Sequence, residues 1–112
     1  MSGNLIFIDF EACSLSEDGW PIEIGFAWIN DSGKLGSSSK LIKPHPLWPA
    51  TAWSERSERV HGISRRDLKA AEEAQDVAQW VDDQIDGARI LSDAAEHDGR
   101  WLCCLMATIG RG

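Results

Sequence analysis

Two carboxylates one residue apart, Asp9 and Glu11, follow the apolar run Leu5-Ile6-Phe7-Ile8. Four such residues, β-branched or aromatic in three cases, read as a strand buried on both faces. Side chains alternate along a strand, so Asp9 and Glu11 share one face and Phe10 takes the other. Two acids side by side at the end of a core strand repel each other and lose hydration. Either the strand simply ends in solvated acids, or a divalent cation neutralises the pair. Hard ions such as Mg²⁺ or Mn²⁺ prefer carboxylate oxygen, and no Cys/His spacing in the chain suggests zinc.

The rest of the chain has to place that pair. With 112 residues the sequence is one domain, and 43% apolar residues with six Trp are ample for a core. A chain of that size buries roughly two-thirds of the surface it exposes when unfolded. No run approaches the ~20 apolar residues of a membrane span, and no secretion signal opens the sequence. Three cysteines, two of them adjacent, make no disulfide framework, so a reducing cytoplasm is the expected compartment. The net charge of −7 argues against broad contact with duplex nucleic acid. A metal-bridged pocket gripping one strand end is still compatible with it.

The first strand should cover about residues 4–10, followed by a polar loop from Ala12 to Pro21. Residues 22–29 alternate as a second strand, and Asn30-Asp31-Ser32-Gly33 is hairpin-turn chemistry. A third strand spans about 34–43, solvent-facing at its serines, before three prolines open a rigid, aromatic loop to Trp53. A short helix over 54–60 is predicted next. Ser64 to Asp67 then matches a capping box that starts an amphipathic helix. Its inward face carries Leu68, Ala71, Ala74, Ala78, Val81 and Ile85, and it stops at Asp86-Gly87. Residues 88–92 form a fourth strand. Residues 96–109 read as a last helix with Trp101, Leu102, Leu105 and Ile109 inward and with Cys103 and Cys104 as buried helix residues. The order β-β-β-α-β-α is an α/β domain in which a meander feeds a parallel pairing through a helical crossover.

Four pieces in register, Asp9-Phe10-Glu11, Ile22-Glu23-Ile24-Gly25, His61-Gly62-Ile63-Ser64 and Ser92 to Asp98 with Trp101-Leu102, resemble the DEDD 3′-to-5′ exonucleases of the ribonuclease-H-like superfamily. The resemblance implies that fold and two-metal-ion hydrolysis at the 3′ end of single-stranded RNA or DNA. It implies Asp9, Glu11 and Asp98 as ligands of Mg²⁺ or Mn²⁺. Leu15 resembles the family leucine that wedges under the terminal base, although an ordinary core leucine fits the residues equally well. Ala12 and Cys13 resemble the backbone beside the terminal sugar, and His61 borders the nucleotide pocket. Trp48 and Trp53 either stack on bases or, more simply, pack beneath the proline loop.

The sequence departs from that family in its third motif, which supplies the general base and a fourth carboxylate as His-x-x-x-x-Asp or Tyr-x-x-x-Asp. There is no Tyr here, the last histidine is His97, and no acid follows Asp98. The expectation is therefore a C-terminally truncated domain, weakly active or inactive, lacking the last strand and helices. Its fourth strand would be an open edge that invites a homodimer. A catalytically dead nucleotide-binding or interaction module is the alternative.

Overall fold

The computed structural model describes residues 5–111. Three strands, β1 (Leu5–Ala12), β2 (Pro21–Ile29) and β3 (Leu35–Lys43), form an antiparallel meander. The β2–β3 turn is closed by Asn30, whose Oδ1 accepts the amides of Ser32 and Lys34 at 3.0 and 2.9 Å. Gly33 takes the positive φ of 79° that this turn requires. A single 3₁₀ turn over Ala50–Ala52 precedes α1 (Glu55–His61), which Ser54 caps and Gly62 ends in the left-handed region. Then come α2 (Arg65–Lys69), the two-residue β4 (Glu72–Glu73), α3 (Ala74–Ile85), β5 (Arg89–Leu91) and α4 (Ala95–Met106). The sheet order is β4-β3-β2-β1-β5, with β5 parallel to β1. No helix among the described residues is long and apolar enough to cross a membrane.

The capping box forms as read, but the helix it starts is not continuous to residue 86. It stops after Lys69, and Glu72 and Glu73 pair in parallel with Ile42 and Lys43 of β3 before α3 begins. Two ion pairs, Lys40 with Glu72 and Lys43 with Glu73, accompany that bridge. The predicted inward face is accordingly split. Leu68 joins a small core with Cys13, Trp20, Ile22 and Ala52, while α3 serves the main one.

That main core lies on one side of the sheet. Ile8 and Phe10 of β1, Ile24 and Phe26 of β2 and Ile42 of β3 meet Val77, Ala78 and Val81 of α3 and Trp101 and Leu105 of α4. No described residue packs over the other side, so β1 is not buried on both faces as its apolar run suggested. Phe7 is 46% exposed and Leu5 and Leu91 are exposed with it. A run of apolar residues shows that a strand is central, but not whether helices cover it twice. Cys103 also departs from expectation: it is exposed, and Cys104 is half-buried, because α4 turns Trp101, Leu105 and Met106 to the core instead.

Candidate active site

Register places the acids. Asp9 lies opposite Gly25 and Glu11 opposite Glu23, all on the uncovered face of the sheet. Across β1, β5 pairs only with Leu5, Ile6 and Phe7, so the upper half of β1 has lost its neighbour on that edge. Asp98, in the first turn of α4, takes its place. Its Oδ1 accepts the Phe10 amide at 3.2 Å and its Oδ2 accepts the Ser92 hydroxyl. Buried amides must find acceptors, and this one is served by a side chain 2% exposed. Asp98 thus carries the end of β5 to the acidic end of β1.

The acids feel one another. Burial raises the Asp9 carboxyl above the ordinary aspartate range, and the charges of Asp98 and Asp93 add to it while the Phe10 amide opposes. Burial also raises Glu11, helped by Asp9, Glu23 and Asp98, and it raises Glu23, helped by Asp9. Carboxylates held together against their own repulsion form an electrostatic site that favours a cation.

These residues open on a cleft of about 970 Å³ between β1, the loop after it, α1 and the start of α4. Asp9, Glu11, Ala12, Leu15, His61 and Asp98 all line it. Leu15 is 69% exposed, projecting from its loop rather than tucked into the core. Arg100 steadies that loop by donating to the Leu15 carbonyl at 3.2 Å. Cys13, expected beside a terminal sugar, is set apart from the cleft. It is fully buried, its amide donates to the Trp20 carbonyl at 3.0 Å, and its carbonyl accepts the Ser54 amide at 2.9 Å. The first bond closes the β1–β2 loop on itself and the second ties that loop to the cap of α1.

His61 closes the far end of α1. Its Nδ1 accepts the Ile63 amide at 2.9 Å, which assigns the proton of the neutral ring to Nε2. Nε2 is buried and has no hydrogen-bond partner among the described residues. Loss of hydration lowers the imidazole below the ordinary histidine range, with Glu58 opposing. Trp48 and Trp53 pack beneath the proline loop. Trp48 stacks on Trp20 at 5.8 Å, and the Trp53 indole donates to Glu58 at 3.0 Å. Sequence reasoning missed Arg56, Val60 and Ser14, which also line the cleft. For Arg56 and Val60 the signal was there, since positions 56, 57, 60 and 61 fall on one face of a helix.

Whether the acids suit a divalent cation turns on their donor chemistry. All are hard oxygen donors, and Asp9 and Glu11 open directly on the cleft, which fits Mg²⁺ or Mn²⁺. Asp98 keeps further lone pairs beyond the two hydrogen bonds it accepts. Among the described residues, no three His, Cys, Asp or Glu side chains are already gathered closely enough to hold a metal ion. Donor type fits; the spacing of the side chains is that of mutually repelling acids.

No protein-family model matches the chain, and no curated protein matches it. Solved structures do. Escherichia coli exonuclease I in complex with a dT13 oligonucleotide superposes with a TM-score of 0.78 at 12% identity, covering 95% of this chain and 24% of that one. A product-bound exonuclease I gives 0.79 at 12%, covering 96% and 26%. The zinc-bound E. coli enzyme with single-stranded DNA gives 0.79 at 12%, covering 96% and 24%. The chain thus spans about a quarter of the length of the structures it matches. At this identity the likeness is one of fold: nearly the whole chain has the α/β, ribonuclease-H-like architecture of an exonuclease.

Proposed function

We propose that the chain is a DEDD-type 3′-to-5′ exonuclease domain acting on the 3′ end of single-stranded RNA or DNA. Asp9, Glu11 and Asp98 would hold Mg²⁺ or Mn²⁺. The observation that carries this reading is that acids from the two ends of the chain open on one cleft in an exonuclease fold, with Asp9 and Glu11 raised by burial and mutual repulsion. Exonuclease I with bound oligonucleotides among the structural neighbours supports the substrate class. When bound, divalent ions activate water and stabilise the departing 3′ oxygen.

The chain's own residues do the positioning. Asp9 and Glu11 present oxygens to the cleft from one strand face, and Asp98 fixes the end of β1 through the Phe10 amide. Leu15 and the Ala12 backbone would flank the terminal nucleotide, with His61 in the adjoining wall. General-base help to the attacking water is worth about 10²–10⁴ in turnover. A second copy pairing along the free edge of β5, where Ile90 and Leu91 are exposed, would give a homodimer. Free cysteines throughout suit a reducing cytoplasm.

One observation favours the alternative of an inactive nucleotide-binding module. Both Asp98 oxygens already serve the fold. The two readings separate in one assay: Mn²⁺-dependent release of mononucleotides from a 5′-labelled oligonucleotide, lost in Asp9→Ala, supports the enzyme. Tight binding with no release in any divalent ion supports the module.

A further inference from the structure

The cleft has two walls of opposite character. One carries Asp9, Glu11 and Asp98; the other is the face of α1 that presents Arg56, Ser57, Val60 and His61. Two other arginines near the site are engaged, Arg65 with the Ala50 carbonyl and Arg100 with the Leu15 carbonyl. Arg111 pairs with Asp82. Arg56 is exposed in the cleft and belongs to none of the ion pairs among the described residues, although the chain carries a net charge of −7. Among the described residues lining the cleft, Arg56 is the one Lys or Arg, set against Asp9, Glu11, Asp18 and Asp98. A lone guanidinium on one wall suits a ligand rich in acceptors.

In the exonuclease reading the phosphate to be cleaved sits at the acids, so a guanidinium on the α1 wall meets a different phosphate of the same strand. A cation would not pair with a guanidinium, and a lone mononucleotide seated at the acids leaves Arg56 unmatched. A guanidinium fork suits a phosphodiester, which it can hold bidentately. We infer that Arg56 is a phosphate-binding residue that holds an internal phosphate of a single strand, upstream of the 3′ terminal nucleotide. This rests on the exonuclease reading and narrows its substrate to strands longer than a mononucleotide. Arg56 is a positioning residue, remote in role from the bond that breaks.

The test measures binding without turnover, by fluorescence anisotropy of a 5′-labelled short oligo(dT) with Ca²⁺ replacing Mg²⁺, between about 50 and 200 mM salt. Arg56→Ala should bind about tenfold more weakly and lose about 0.7 from the salt slope, the contribution of one single-strand phosphate. Arg56→Lys should recover part of the affinity and all of the slope. Lys34→Ala, exposed at the β2–β3 turn and outside the cleft, should match the wild type, and dTMP should compete equally well in every variant. Unchanged affinity and slope in Arg56→Ala would overturn the assignment while oligonucleotide binding by the wild type kept the exonuclease reading. If the wild type binds no oligonucleotide, that reading fails first and this one with it.

Discussion

The two faces of the central sheet are made from the same strands and do opposite work. On the helix-covered face, Ile8, Phe10, Ile24, Phe26 and Ile42 are buried beneath α3 and α4. On the other, one residue out of step, β1 presents Leu5, Phe7, Asp9 and Glu11, and nothing among the described residues covers them. Period-two alternation lets one strand anchor a core with one set of residues and offer carboxylates with the next. The price of that arrangement is electrostatic, because Asp9, Glu11 and Glu23 repel one another on a partly buried surface and belong to none of the ion pairs among the described residues. Packing therefore resides on one face and the carboxylates on the other, with Asp98 joining them through a single amide.

The largest contrast should come from matched truncations of the two faces. Trp101→Ala, in the packed face, should destabilise by about 3–5 kcal/mol. Phe7→Ala on the bare face should change stability by less than about 1 kcal/mol. Chemical denaturation of both variants measures this, and equal losses would mean that something covers the bare face in solution. Next, Asp98→Ala should cost about 1–3 kcal/mol by orphaning the buried Phe10 amide, whereas Asp98→Asn keeps an acceptor and most of the stability. If Asp98→Asn retains its fold yet loses Mn²⁺-dependent cleavage, the residue serves both faces. If cleavage survives, its role is structural alone.

Divalent ions provide the third comparison. Saturating Mn²⁺ at neutral pH should raise the thermal midpoint by several degrees, since binding to the folded state alone stabilises it. Asp9→Asn should abolish that rise, and Trp101 variants that still fold should keep it. The smallest effect concerns protons. An acid whose folded pKa is raised binds its proton more tightly when folded, so its contribution favours folding at low pH and is lost as pH rises through the folded pKa. Without metal, Asp9, Glu11 and Glu23 should therefore make the protein less stable in going from about pH 4 toward neutrality. Glu11→Gln should flatten that fall, and a wild-type profile with the opposite slope from these groups would contradict the repulsion.

Much of the fold was legible because it was local or periodic. The meander follows from alternation in residues 22–29 and the Asn30–Gly33 turn, and the capping box at Ser64 formed as read. The continuous helix to residue 86 did not, because Glu72 and Glu73 found strand partners thirty positions earlier that no local pattern encodes: Ile42 and Lys43 on the edge of β3. Likewise Leu15 could be assigned to core or cleft equally well from its neighbours, and only the path of its loop left it exposed. Cys13 went the other way, drawn into the small core beside Trp20.

By itself the sequence determined that Asp9 and Glu11 share a face, that β1 is a strand and that Asp98 lies in the first turn of the last helix. Each follows from a period of 2.0 or 3.6 residues and from local capping. Tertiary structure alone decided which face stays uncovered, that Asp98 satisfies the Phe10 amide, and that Arg56 stands across the cleft from the acids. Those facts depend on contacts between segments up to 88 positions apart, as with Phe10 and Asp98. Such contacts are selected by packing and by the need to pair buried polar groups, and neither is written in any one stretch of chain.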